Sequence, residues 1–269
     1  MFLIGADTKD EPMTTVGTCA LCHTPASTLL GSHVIPEFFY KRVYTKSHKF
    51  TAIPLKDEER LAIQQKGYRE NLLCAACETK MSKWEGKLSQ FVNQITSESY
   101  TTCSATQVGT VTVVSGVDYS SIKMAVLSIF WRMSIAQHKL FAVYDLGPYK
   151  EDIRILLAQQ KVPAASEFPI LLSKGLLGGA FLPGILFPMG RGRYENNLIM
   201  QSVVLNGIVF DCIMTRTRTI PEEVMEFSLQ PTGRVLIPSR SYEDLGMNLD
   251  EFSKRMKSVD VKSFYQKHV

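Results

Sequence analysis

The sequence predicts an α+β protein. A ββα unit stapled by zinc comes first, and a mixed α+β domain with a buried helix and antiparallel hairpins follows. The zinc staple is predicted by two pairs of cysteines at Cys-x-x-Cys spacing, Cys19 with Cys22 and Cys74 with Cys77. The buried helix is predicted by the stretch from Ile122 to Phe141, which is apolar on most of its sides. The hairpins are predicted by Asn206-Gly207 between two apolar, β-branched runs.

Length and composition bound the organisation of the chain. Its 269 residues suffice for about two domains, expected at 1–98 and 118–269 with 99–117 as a linker or edge strand. Hydrophobic residues make up 45% and charged residues 21%, a balance that excludes wholesale disorder. No apolar stretch is long enough to cross a membrane, and the first residues lack a secretory signal, so we expect a cytoplasmic protein.

The net charge is only +4. A chain this close to neutral does not announce a nucleic-acid binder by its charge alone. Any such partner would have to be recognised by a local patch.

The cysteines carry the first chemical signal. In a chain without an export signal, a disulfide framework is disfavoured because the compartment is reducing. Four thiolates on two tight knuckles make a closed tetrahedral zinc site, whereas a redox role is the alternative for either pair alone. Between Cys22 and Cys74 lie 51 residues, so this segment must loop out and return to the same metal.

The residues between the two cysteine pairs suggest further chemistry. A short apolar strand ends in Ser32-His33 and is followed by Pro36, and Asn71 precedes the second pair. The second pair then runs into a helical pattern whose apolar face carries Met81, Trp84 and Leu88. Strand, histidine, strand and helix together form the predicted ββα unit.

This order of motifs resembles the HNH endonucleases, the ββα-metal or His-Me finger superfamily, in their four-cysteine zinc form with a treble-clef-like module. The resemblance covers about residues 15–95 and rests on Cys19-x-x-Cys22, Ser32-His33-Val34-Ile35-Pro36, Asn71-Leu72-Leu73 and Cys74-x-x-Cys77-Glu78. It implies that His33 is the general base, that Asn71 orients the His33 region, and that Glu78 ligates a catalytic Mg²⁺ or Mn²⁺. A histidine titrates near neutrality and can take a proton from water, and a hard cation prefers oxygen ligands.

Two departures from the family pattern leave a second interpretation open. Ser32 stands where many HNH proteins have Asp or His, and Glu78 stands where many have His. The metal site is then either rebuilt with Glu37, His48 or Glu85 as a further donor, or lost. His33 could equally be a satisfied interior histidine, Asn71 a turn residue, and Glu78 a carboxylate that favours the helix dipole.

The segment from Glu37 to Phe50 interleaves cations with aromatic residues. This pattern fits phosphate contact with base stacking, or a helix whose aromatics enter the core and whose lysines are solvated. The candidate nucleic-acid-binding residues are Lys41, Arg42, Lys46 and Lys49.

The second domain shows no recognisable active-site motif. Asp118 is expected to cap the buried helix, and Arg132 inside that helix needs a partner, for which a structural ion pair is favoured over a phosphate. A second helix is expected from Pro148 to about Gln160, a basic turn at Gly190–Arg193, and amphipathic helices at Asn248–His268.

The resulting hypothesis is a metal-dependent HNH endonuclease acting on DNA, with RNA as the alternative polymer. Similarity to bacterial HNH-like proteins implies a prokaryotic cytoplasmic setting, such as a phage-defence effector. The rival hypotheses are a catalytically degenerate zinc module that binds nucleic acid and a component that binds a protein partner or a second copy through its C-terminal domain.

Overall fold

The computed structural model describes residues 15–44, 46, 49–52, 62–194, 197–216 and 218–245. Its strands are β1 (Thr15–Gly17), β2 (Ser27–His33), β3 (Lys49–Ala52), β4 (Ala62–Gln65), β5 (Arg69–Cys74), β6 (Ser104–Val108), β7 (Val111–Ser115), β8 (Ile170–Leu177), β9 (Ala180–Phe181), β10 (Leu186–Tyr194), β11 (Leu198–Leu205), β12 (Ile208–Ile213) and β13 (Val235–Ser241). Its α-helices are α1 (Glu37–Tyr40), α2 (Ala75–Ser97), α3 (Tyr119–Ile135), α4 (Tyr149–Gln159) and α5 (Glu222–Phe227).

The strands form three sheets. A three-stranded sheet has the order β1-β2-β5, and β3 pairs with β4. An eight-stranded sheet has the order β10-β11-β12-β8-β13-β7-β6, with β9 paired to β8. Strands β8 and β13 are parallel, whereas their other pairings are antiparallel. The prediction of a mixed α+β protein is therefore confirmed.

The first sheet and α2 together form the strand–strand–helix arrangement predicted around the cysteines. Strands β2 and β5 are antiparallel, with His33 opposite Arg69, and α2 starts directly after Cys74. Met81 and Leu88 are fully buried on the inner face of α2. The apolar spacing at that point thus predicts both the helix and the face that it buries.

Helix α3 is buried as predicted, but it is shorter than the sequence suggests. Asp118 caps it by accepting a hydrogen bond from Ser121 N–H at 3.0 Å. The prediction that the helix reaches Phe141 is wrong. The carboxylate of Glu70 accepts the N–H groups of Gln137 and His138 at 2.9 and 3.0 Å, and the chain leaves the helix there because those donors are turned towards β5.

The hairpin at Asn206-Gly207 is confirmed. Both residues have positive φ, 54° and 75°, as a two-residue type I′ turn requires. The tip of the hairpin is covered, since a Cβ on Gly207 would lie 2.5 Å from the carbonyl oxygen of Leu182. Glycine is therefore needed there for space as well as for its conformation.

Two other expectations for the second domain come out differently. Gly190–Arg193 is not a turn, because it lies inside β10 at the edge of the large sheet. The predicted helices at Asn248–His268 lie outside the described residues. The helix expected from Pro148 is α4, and it is confirmed.

One hydrophobic core joins the ββα unit to the rest of the described chain. It contains Leu73 and Met81 as well as Phe130, Trp131 and Ile237. The segment 99–117 contributes the hairpin β6–β7, whose outer strand ends the eight-stranded sheet. None of the helices in the described part of the chain has the length and apolar character needed to traverse a lipid bilayer.

Candidate functional site

The four cysteines of the two pairs meet at one point, as predicted. Their sulfur atoms all lie within 4.8 Å of one another, and those of Cys22 and Cys74 are 3.9 Å apart. Sulfurs bonded at about 2.3 Å to one tetrahedral ion would be about 3.8 Å apart, whereas a disulfide needs about 2.05 Å. The cluster therefore has the dimensions of a closed metal site and not of a disulfide pair.

The surroundings of the thiols fit a bound cation. Cys19 and Cys77 are buried, and burial raises the pKa of both thiols. Cys22 is exposed, and the Thr24 hydroxyl 3.1 Å from its sulfur lowers its pKa to about 6. Thiolates at the two buried positions need a positive charge beside them, which a metal held by all four sulfurs supplies.

The first cysteine knuckle is also held by the second half of the chain. Arg154 in α4 donates through Nη1 to the carbonyl oxygen of Leu21 at 2.5 Å. The same guanidinium forks onto the carboxylate of Glu151, at 2.8 and 2.6 Å. Leu21, between the two cysteines of its pair, is fully buried, so the knuckle is docked on α4 and does not stand free.

His33 ends β2 beside two charged groups. Its side chain is 18% exposed. Nε of Arg69, directly opposite on β5, donates to Nε2 of His33 at 2.8 Å. Glu37, the first residue of α1, brings Oε2 into contact with the same nitrogen, while its Oε1 accepts from the Tyr44 hydroxyl at 2.9 Å.

These neighbours set the protonation state of His33. Burial and the Arg69 guanidinium lower its pKa to about 4, against the opposing effect of the Glu37 carboxylate. The imidazole is therefore neutral at pH 7, and its Nε2 lone pair accepts the hydrogen bond of Arg69. A neutral, half-buried imidazole beside a guanidinium is a group that can take a proton close to a bound anion.

Arg132 lies beneath His33 and has the partner that its burial requires. Its side chain is 1% exposed. Nη2 pairs with Oε1 of Glu85 in α2 at 2.5 Å, and Nη1 donates to the carbonyl oxygen of His33 at 2.7 Å. The predicted structural ion pair is confirmed, and it occupies Glu85, which was a candidate metal donor.

Asn71 lies in β5, opposite Gly31 of β2. Its Nδ2 donates to the Thr15 hydroxyl at 2.8 Å. The pairing of β2 with β5 shifts between Leu30 and Gly31, so that Asn71 lies opposite Gly31 and Arg69 lies opposite His33. The shift therefore brings Arg69 opposite His33 in place of Glu70. That Asn71 orients the His33 region stays a prediction.

Glu78, in the first turn of α2, has one carboxylate oxygen without a hydrogen-bond partner among the described residues. Its Oε1 is buried and has no hydrogen-bond partner in the described part of the chain. Within the described residues, one group of three or more metal-ligating side chains comes close together, and it consists of the four cysteines. His33, Glu37 and Glu78 thus do not form a second cluster, and His48 lies outside the described residues.

The segment from Glu37 to Phe50 fits the interpretation in which aromatic side chains enter the core and lysines stay at the surface. Its aromatic residues enter the core, with side chains buried at Phe39, Tyr40 and Phe50. Base stacking by these three rings is therefore excluded. The candidate cations lie near or at the surface: Lys41, Arg42 and Lys46 are exposed and Lys49 is half-buried. Arg42 donates to the Thr96 hydroxyl at 2.8 Å.

The sequence assigned no role to Arg69 and only a metal-donor role to Glu37. The signal for Glu37 was its position, four residues after His33 and directly after Pro36. Arg69 could be found only from the register of β2 and β5. No protein-family model, curated protein or solved structure matches this chain. Its function is therefore argued from the site itself.

Proposed function

We propose that this chain is a zinc-stabilised endonuclease of the HNH type that hydrolyses phosphodiester bonds in DNA with His33 as the general base. One observation carries the proposal. It is the neutral, half-buried imidazole of His33 between Arg69 and Glu37, at the end of a strand fastened by the four-cysteine cluster. A base, a guanidinium and a carboxylate in contact are suited to attack on an anionic ester.

The four cysteines would hold Zn²⁺, with all four coordination positions filled. Such an ion has no open site for water, so it stabilises the fold and takes no part in hydrolysis. Its contribution to function is to fix the start of β2 and the end of β5, where Leu29 lies opposite Cys74. His33 and Arg69 lie opposite each other at the other end of the same strand pair, so the ion would act on them through the strands.

The reaction follows from the two partners of Nε2 on His33. When a phosphodiester binds, the Arg69 guanidinium would turn from Nε2 of His33 to a phosphate oxygen, for which its planar fork is suited. This frees the lone pair of Nε2. As water attacks phosphorus and the bond from phosphorus to the leaving oxygen breaks, Nε2 takes one proton of the water. The protonated Nε2 then donates to the Oε2 oxygen of Glu37, which is already in contact with it.

A divalent cation would be held by Glu78. Its buried Oε1 without a partner is the kind of oxygen that Mg²⁺ or Mn²⁺ prefers. Such a cation supplies positive charge for the oxygen that leaves phosphorus. Exposed Lys41 and Lys46 would contact neighbouring phosphates.

A second candidate function is a zinc module that binds nucleic acid without cutting it. One observation favours it. His33, Glu37 and Glu78 do not gather into a metal-ligating group among the described residues.

Cleavage of plasmid, single-stranded DNA and RNA by protein with one zinc per chain tests the proposal. We expect cutting of DNA when Mg²⁺ or Mn²⁺ is added and none when it is omitted. Omission is a cleaner control than EDTA, because a chelator also removes structural zinc. Salt-sensitive DNA binding without cutting in any metal would support the second candidate.

The dependence of cleavage on pH carries a second prediction. The base must be neutral to act. The titration of His33 should therefore leave kcat/KM unchanged between about pH 7 and pH 5. Below the His33 pKa of about 4, kcat/KM should fall about tenfold for each pH unit. An unshifted histidine would give a midpoint near 6.5. Circular dichroism at each pH controls for unfolding, and a midpoint near 6.5 would contradict the environment described for His33.

A further inference from the structure

We infer that Arg132 is a positioning residue, which lets the second half of the chain fix the main chain of His33. The inference rests on the proposed function of His33. Arg132 belongs to α3 and lies 99 residues after His33 in sequence. It does not touch the reacting atoms, so it would act only through the histidine.

The peptide group between His33 and Val34 is held at both of its polar atoms. The carbonyl oxygen of His33 accepts from Nη1 of Arg132 at 2.7 Å. The N–H of Val34 donates to the carbonyl oxygen of Tyr68 at 3.0 Å. A peptide plane fixed on both sides leaves little freedom to the residue that carries it, so the direction of the imidazole is set with it.

The guanidinium itself is locked. It is 1% exposed, pairs with Glu85 of α2 at 2.5 Å, and donates through Nε to the carbonyl oxygen of Ser128 at 3.3 Å. Three elements, β2, α2 and α3, are therefore joined at one buried charge. A buried charge tolerates few arrangements, because each unpaired donor is costly. Arg132 is thus rigid enough to transmit the position of α3 to His33.

The expected effect follows from the sensitivity of catalysis to geometry. A displacement of about 1 Å in a reacting group can cost about 100-fold in rate. Lysine at position 132 keeps a positive charge for Glu85 but lacks the fork that reaches two acceptors at once. Arg132→Lys should therefore lower kcat by about 10- to 100-fold and leave KM for DNA within about threefold.

Lys174→Gln is the matched control. Lys174 is another buried cation of the second half, and its Nζ bonds Oε1 of Glu98, directly after α2, at 2.7 Å. Within the described part of the chain, its Nζ lies against Glu98 and the ring of Phe181 and not against His33. If Arg132 served only to hold the fold, both variants would lower the melting temperature and neither would change kcat per folded, zinc-loaded molecule. A fall in kcat confined to Arg132→Lys supports positioning, and equal kcat in both variants overturns it.

A second readout does not depend on cleavage. The imidazole Cε1–H resonance of His33, assigned by its loss in His33→Ala, should shift or broaden in Arg132→Lys and stay in place in Lys174→Gln. If wild-type protein cuts nothing, the nuclease proposal fails, while an unmoved His33 resonance overturns the inference about Arg132.

Should Arg132→Lys not fold, Glu85→Gln replaces it. That variant keeps an acceptor for Arg132, so kcat should fall less but in the same direction, and an unchanged kcat and resonance would overturn the inference.

Discussion

Replacement of Cys77 by serine is expected to remove zinc from the protein and to unfold the ββα unit. Cys77 is 2% exposed and belongs to the cluster whose four sulfurs lie within 4.8 Å of one another. A serine oxygen is a poor ligand for zinc, and in small modules the free energy of zinc binding is folding free energy of about 10–16 kcal/mol. Losing even about 4 kcal/mol would lower the melting temperature by roughly 8–16 °C in a chain of this size.

Zinc per chain and thermal unfolding followed by circular dichroism measure this effect. Cys103→Ser is the control, because Cys103 is half-buried and lies outside the cluster. We expect the control to keep one zinc per chain and to melt within a few degrees of the wild type. A Cys77→Ser protein that retained both its zinc and its melting temperature would show that the four cysteines do not hold a structural metal.

The features that the sequence predicts well are those decided by neighbouring residues. Cys-x-x-Cys spacing forms a knuckle through its own turn, and the apolar face of α2 follows from residues three and four apart. Asn206-Gly207 makes a type I′ turn because of its own φ angles, 54° and 75°. The meeting of both cysteine pairs could also be predicted, since two Cys-x-x-Cys knuckles together supply the four ligands of one closed metal site.

The contacts around His33 depend instead on residues that are far apart in sequence and meet only through strand pairing and helix packing. A shift in the β2–β5 register between Leu30 and Gly31 decides that Arg69, and not Glu70, lies opposite His33. Helix α3 ends early because Glu70, 67 residues before Gln137, binds the N–H groups beyond its last turn. Such outcomes require the tertiary structure, because the groups involved meet only after the elements have packed.

His33→Ala is expected to lower DNA cleavage by about 100- to 10,000-fold, the usual contribution of a general base. Zinc content should be unchanged, because His33 is not among the four clustered ligands. DNA affinity should also be nearly unchanged, since the exposed lysines and Arg69 remain. Single-turnover cleavage with Mg²⁺ or Mn²⁺ measures the rate, and fluorescence anisotropy measures the affinity at the same salt concentration.

The comparison with His138→Asn shows whether the loss belongs to one histidine. His138 packs on Tyr68 at 4.5 Å between ring centroids and accepts a hydrogen bond from the Leu140 N–H. Asparagine keeps an acceptor near that donor, so this variant should cut at nearly the wild-type rate.

Wild-type cutting by His33→Ala would remove His33 as the base even if the protein proved to be a nuclease. The attacking water would then need another proton acceptor. Of the two neighbours of the Nε2 atom, Arg69 cannot accept a proton, whereas the Glu37 carboxylate can and would lose its contact with Nε2 in this variant, so Glu37 would become the group to test.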